Sequence, residues 1–223
     1  MSVLDHVLFA AICAGLPLVE WLWLYPRFVR ARAAARSGAR ERRYVMTMLF
    51  LWGLAACVVV LWAVLGRPFD YLRLGIGYPL RGGIGLAFAV AYAGLAWAQR
   101  RALLKQPDAA DLVRRQLGKA EALLPRTSSE YKLFLLVAIT AGICEEILFR
   151  GFVIWYLAVW TSTITAALIS SVLFGLAHIY IGVPHVIRGA IVGAVFAALV
   201  LGTGSLWAAM ALHAVVDLSS GAL

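Results

Sequence analysis

The sequence predicts an all-α protein, a polytopic bundle of transmembrane helices, and three observations carry that prediction. The 223 residues are 63% hydrophobic and only 14% charged, with a mean hydropathy of +0.89, well outside the range of a soluble domain. The apolar residues fall into about seven segments, each near the length needed to cross a bilayer. The basic residues lie in the connectors between those segments and not along one amphipathic face. The formal charge of +9 therefore reads as orientation in a lipid bilayer, and nucleic acid is not expected as a partner.

Taken in order, the segments cover residues 7–25, 45–65, 82–98, 133–158, 162–178, 186–203 and 205–221. The first is not read as a signal peptide: it lacks a basic leading region, contains Pro17 and Glu20, and runs into arginines. Glu20, near its end, is expected to be an interfacial carboxylate, with a polar contact inside the bundle as the alternative. The connector that follows carries arginines at 27, 30, 32, 36, 40, 42 and 43 against the single acid Glu41, which puts it in the cytoplasm and the N-terminus outside. Gln99 to Lys132, with eight Lys or Arg residues, is expected on the same side, and the stretch from Arg67 to Arg81, with three, on the other. The C-terminus then falls in the cytoplasm. Within the second basic connector, Leu112, Val113, Leu117, Ala120 and Leu124 recur at near-helical spacing, predicting a surface helix over Asp108 to Leu124.

There is no internal repeat. The chain divides by content into N-terminal helices with basic loops, 1–124, and a polar-bearing helical core, 125–223, within one structural domain. The first three segments carry few polar groups, so any chemistry is expected after Leu133. Small residues recur every fourth position at Ala167, Ser171 and Gly175, and again at Gly189, Gly193 and Ala197, which predicts close helix packing in lipid. Cys13, Cys57 and Cys144 all sit in apolar runs and suggest neither a disulfide framework nor a thiolate metal site. Cys144 is expected to be an inert buried thiol, His185 an interfacial histidine, His6 unremarkable, and Trp21, Trp23, Trp97 and Trp160 interface anchors.

The stretch CEEILFRG, residues 144–151, breaks the apolar pattern. Unpaired at a helix centre, Glu145, Glu146 and Arg150 would together cost on the order of 8 to 10 kcal/mol. Glu146 and Arg150, four residues apart, share a helix face and are expected to pair; Glu145 points elsewhere and needs other company. FGLAH, Phe174 to His178, and HAVVD, His213 to Asp217, supply candidates. With turns near Trp160 and near Gly202, the rise of a helix places Glu145 and His178 roughly 23 to 26 Å below the first turn, and His213 and Asp217 about 13 and 20 Å below the second. The cluster is thereby expected in the inner half of the bilayer. A carboxylate facing imidazoles there suits water activation, directly or through a bound metal, and equally proton transfer in a carrier.

In this order the three motifs resemble the CPBP family of intramembrane proteases, which includes type II CAAX prenyl proteases and lysostaphin resistance protein A. EEILFR matches the family's EExxxR, FGLAH its FxxxH, and HAVVD its HxxxN or HxxxD, over about Pro125 to Leu218. The resemblance implies that Glu145 and His178 polarise the attacking water, that His213 and Asp217 line the place where charge develops on the scissile carbonyl, and that Glu146, Arg150 and Phe174 support the site or grip substrate. It implies a membrane-anchored or lipidated protein or peptide as substrate, the lipid bilayer as setting, and a bacterial or archaeal cell membrane. Asp217 stands where the prenyl proteases have asparagine; it has to be protonated, to orient His213, or to bind a cation. Glu145, His178, His213 and Asp217 are an acceptable oxygen and nitrogen set for zinc, yet their spacing is not HExxH, so metal-dependent and metal-free routes both stay open. A non-enzymatic scaffold or immunity factor of the same fold, or a proton-coupled carrier, is the alternative reading. The sequence carries no signal for oligomeric state.

Overall fold

The computed structural model describes residues 1–105 and 117–221, and among these every regular element is helical. Seven helical bodies follow one another: α1 over Val3–Ala33, α2 over Ala39–Val64, α3 over Pro79–Leu104, α4 over 128–158, α5 over Thr163–Leu176, α6 over Val183–Thr203 and α7 over Trp207–Gly221. Among the described residues, four stretches are long and apolar enough to cross a membrane: α1, α2, Pro79–Leu103 of α3, and α6. Of the others, α4 carries the charged cluster, and α5 and α7, at 14 and 15 residues, fall short of the about 20 residues of a straight span.

The ends of these helices follow from local chemistry. Thr127 accepts from the Glu130 amide at the start of α4, and Ser162 accepts from the Thr165 amide at the start of α5, each satisfying an amide with no partner inside the helix. α6 ends at Gly204, whose φ of +72° is left-handed. α5 stops at Leu176, two residues before the predicted end, so that His178 lies just beyond the helix and ahead of a 3-10 turn, Ile179–Ile181. The predicted surface helix over Asp108 to Leu124 falls partly outside the described residues. What is described of it is a 3-10 turn, Gly118–Leu123.

α4 is the axis of the bundle, with α2 and α7 packed along it, α3 against α7, and α5 against α6. The small-residue faces do what their spacing predicts. A Cβ on Gly175 would run into the Val186 carbonyl on α6, and one on Gly193 would lie 3.3 Å from the Ser171 Cα and 3.0 Å from the Arg150 guanidinium. Without side chains there, α5 and α6 approach backbone to backbone. The main hydrophobic cluster among the described residues gathers Ile12 from α1, Val58 and Trp62 from α2, Phe149 from α4, Phe196 from α6 and Leu212 from α7, beside smaller ones around Ala166 and around Phe28. The connector between α2 and α3 is tied to the α6–α7 turn by Ser205 Oγ donating to the Gly75 carbonyl at 2.6 Å and the Leu206 amide donating to the Arg73 carbonyl at 2.9 Å.

The expectation that the first helices are poor in buried polar groups is corrected. Asp5 is fully buried and takes a bidentate pair from Arg67 at 2.7 and 2.8 Å. Glu20 is not an interfacial carboxylate: it is buried and takes a bidentate pair from Arg43 at 2.6 and 3.1 Å. In both cases the burial is allowed by a guanidinium fork that satisfies both carboxylate oxygens. His6, expected to be unremarkable, shares a 2.7 Å hydrogen bond with the Tyr156 hydroxyl. All three cysteines are free, and Cys144 is buried. Trp21, Trp23, Trp97 and Trp160 are all exposed at the bundle surface.

Candidate active site

The site begins with a local widening of α4. From Glu146 to Val153 the helix is π-type, a rare geometry that recurs at functional positions because it re-aims consecutive side chains. Glu146 and Arg150 still meet, Nη1 to Oε1 at 3.0 Å, both essentially without solvent contact at 0% and 1% exposure. Arg150 also donates to the Gly193 carbonyl at 3.1 Å and lies 4.3 Å above the Phe174 ring. The guanidinium thus has an ion pair, a carbonyl and an aromatic face in a dry core, while Arg150 Nε and Glu146 Oε2 are buried without a hydrogen-bond partner.

Glu146 has a second duty. Its Oε1 lies 2.9 Å from His213 Nδ1; since a carboxylate paired to an arginine only accepts, Nδ1 carries the proton of that bond. The other ring nitrogen, Nε2, then faces two carboxyl groups, Glu145 Oε2 and Asp217 Oδ2, each at 3.7 Å. Phe196, stacked on the imidazole at 4.8 Å, and Phe174, edge-on at 5.7 Å, fix the ring plane.

His178 is set differently. Lying just past the end of α5, its Nδ1 donates to the Phe174 carbonyl at 2.9 Å, taking up an acceptor left free by the helix terminus. That bond assigns the tautomer and leaves the Nε2 lone pair available. The Phe174 ring packs edge-on against it, 5.0 Å between centroids.

Glu145 and His178 open onto the same small cavity, about 50 Å³, whose far wall is Glu20, Arg43, Thr47 and Tyr180. A polar space of that size holds a water molecule or two. Phe174 and Glu146 connect this pair to His213, whose ring and Asp217 stand behind Glu145 and do not line the cavity. Asp217 is the most open of the four, with its side chain 37% exposed. The structure thus gathers Glu145, Glu146, Arg150, Phe174, His178, His213 and Asp217 into one region, but on two sides of Glu145.

Sequence reasoning missed the far wall. Glu20 and Arg43 are separated by 23 residues, and Tyr180 belongs to the short turn after His178; the one available signal was an acid in the first apolar run followed by an arginine at the head of the second. Among the described residues, no group of three or more His, Cys, Asp or Glu side chains is placed to hold a metal ion.

Residues 127–219 match the family model described as Type II CAAX prenyl endopeptidase Rce1-like. That segment contains all three motifs and bears out the resemblance read over about Pro125 to Leu218. Neither a curated protein nor a solved structure matches the chain.

Proposed function

We propose, from the match of residues 127–219 to the Type II CAAX prenyl endopeptidase Rce1-like family model, that this chain is an intramembrane endopeptidase using Glu145 to activate water. The observation that carries the reading is the shared cavity: Glu145 and His178 border one water-sized space, and His213 stands against Glu145 from the other side. Glu145 takes the proton of the attacking water, with His178 Nε2 accepting its second hydrogen bond and aligning it. Glu145 then delivers that proton to the leaving amine. His213, its Nδ1 proton anchored on Glu146, turns Nε2 toward the carbonyl and, when that nitrogen is protonated, stabilises the oxyanion. Asp217 lacks the amide donor of the family's asparagine, so the donor to the oxyanion on this side is His213 Nε2, 3.7 Å from the Asp217 carboxyl.

The substrate reading is a segment of a membrane-anchored or lipidated protein. In the membrane all seven helical bodies are read as spanning or entering the bilayer, N-terminus outside, with the site in the cytoplasmic half.

The test compares membranes holding the parent chain and the Glu145→Gln form. Loss of a general base lowers turnover by about 10²- to 10⁴-fold, so a membrane protein or its uncleaved precursor accumulates in the variant, while thermal unfolding of the purified proteins is unchanged. Undiminished cleavage by Glu145→Gln rejects the assignment.

A further inference from the structure

A roomier hollow than the one at Glu145 lies elsewhere on the molecule. A groove of about 700 Å³ lies where the C-terminal end of α1 meets the N-terminal end of α2, and Arg27, Arg30, Arg36, Arg42 and Arg43 line it together with Trp23. Arg43 is neutralised by Glu20. The other four are exposed, and none of them is in an ion pair among the described residues. Arg30 and Arg42 rest on backbone carbonyls, Pro26 at 3.3 Å and Ser37 at 2.7 Å, and Arg27 lies 4.0 Å above the Trp23 ring. Glu41 is the single acid between Tyr25 and Val45. Orientation in a membrane requires positive charge in this connector but not its convergence on one concavity.

We propose that this groove binds the phosphate of an anionic phospholipid headgroup. Four unpaired guanidiniums around one hollow repel each other, and a phosphate diester that accepts from two or three of them removes that repulsion through charge-assisted hydrogen bonds. Lipid is favoured over a soluble phosphate by what adjoins the arginines. Trp23 and Met46 form apolar parts of the groove wall and are 44% and 39% exposed, and Leu22 and Leu49, on the same two helices, are 64% and 65% exposed. Acyl chains descending from a headgroup held here have an apolar surface to lie on. Arg43 belongs both to this groove and to the wall of the Glu145 cavity, so the headgroup would lie one side chain away from the site already described.

The experiment uses the full chain in neutral detergent, titrated with dioleoylphosphatidylglycerol and with dioleoylphosphatidylcholine and read by native mass spectrometry. The anionic lipid is expected to bind at least about tenfold more tightly, since each basic group near a lipid surface adds a few-fold to affinity. The triple substitution Arg27→Gln, Arg36→Gln, Arg42→Gln removes that preference and leaves phosphatidylcholine binding as it was, whereas Lys at the same three positions retains most of it. Arg43 is kept so that the pair with Glu20 stays intact. Equal binding of the two lipids, or a preference that survives the triple Gln form, overturns the proposal. Complete displacement of phosphatidylglycerol by millimolar inorganic phosphate overturns its lipid source and leaves an ordinary anion site.

Discussion

Two buried glutamate–arginine pairs flank the same region of this protein, and they differ in what surrounds them. Glu146 and Arg150 are one turn apart on α4, have no solvent contact, and serve third parties: His213 hangs on the glutamate and Gly193 on the arginine. Glu20 and Arg43 come from different helices, meet as a simple bidentate fork, and border the cavity that Glu145 and His178 also face. The first pair is the centre of a network; the second is part of a wall. An ion pair in a nonpolar core is weak support for stability taken alone, but breaking one side of it is expensive because the remaining charge is stranded. How expensive depends on whether water can reach what is left.

That difference orders the outcomes of substitution. The largest effect is expected from Arg150→Met, which strands the Glu146 carboxylate in a dry core and frees the Gly193 carbonyl. A loss of about 3–5 kcal/mol is expected, read as a lower unfolding midpoint in detergent, together with loss of cleavage because Glu146 no longer holds His213 in place. Arg43→Met strands Glu20 beside a space that admits water, so about 1–3 kcal/mol is expected by the same measurement. Equal losses for the two single substitutions would show that the cavity does not relieve Glu20 and would erase the distinction.

The same contrast separates what the sequence discloses from what it hides. Glu146 and Arg150 could be paired by counting, because four residues on one helix is a local relation that survives even the π-type widening of α4. His178 and His213 were legible as partners of the cluster because short turns fix how far down a neighbouring helix a residue lies. The pairing of Glu20 with Arg43, and of Asp5 with Arg67, depends on how separate helices rotate about their axes, which no spacing records. The division of the site into a cavity side and a Phe-packed side was hidden for the same reason: Phe174 was legible as a supporting residue, but Phe196 reads as an ordinary apolar residue until its helix brings it against His213. His178 closes the predicted segment but lies two residues beyond the observed end of α5, a shift that gives its Nδ1 the Phe174 carbonyl to cap.

The smallest expected effect is the sharpest test of the comparison. Replacing both members of a buried ion pair by apolar side chains of similar size removes the stranded charge and the desolvation of its partner at once, and is often neutral. Glu20→Met with Arg43→Met is therefore expected within about 1 kcal/mol of the parent chain, since the fork takes up both Glu20 carboxylate oxygens and Arg43 otherwise meets the Tyr180 side chain on the wall of the same cavity. The corresponding double substitution of Glu146 and Arg150 cannot recover in this way. His213 Nδ1 loses its 2.9 Å acceptor and the Gly193 carbonyl its 3.1 Å donor, so a residual loss of about 1–3 kcal/mol is expected from buried polar groups left without partners. A double-mutant cycle on each pair, read by unfolding midpoint, measures the difference. If both doubles return to the parent value, Glu146 and Arg150 are as self-contained as Glu20 and Arg43, and His213 owes its position to the aromatic rings that sandwich it.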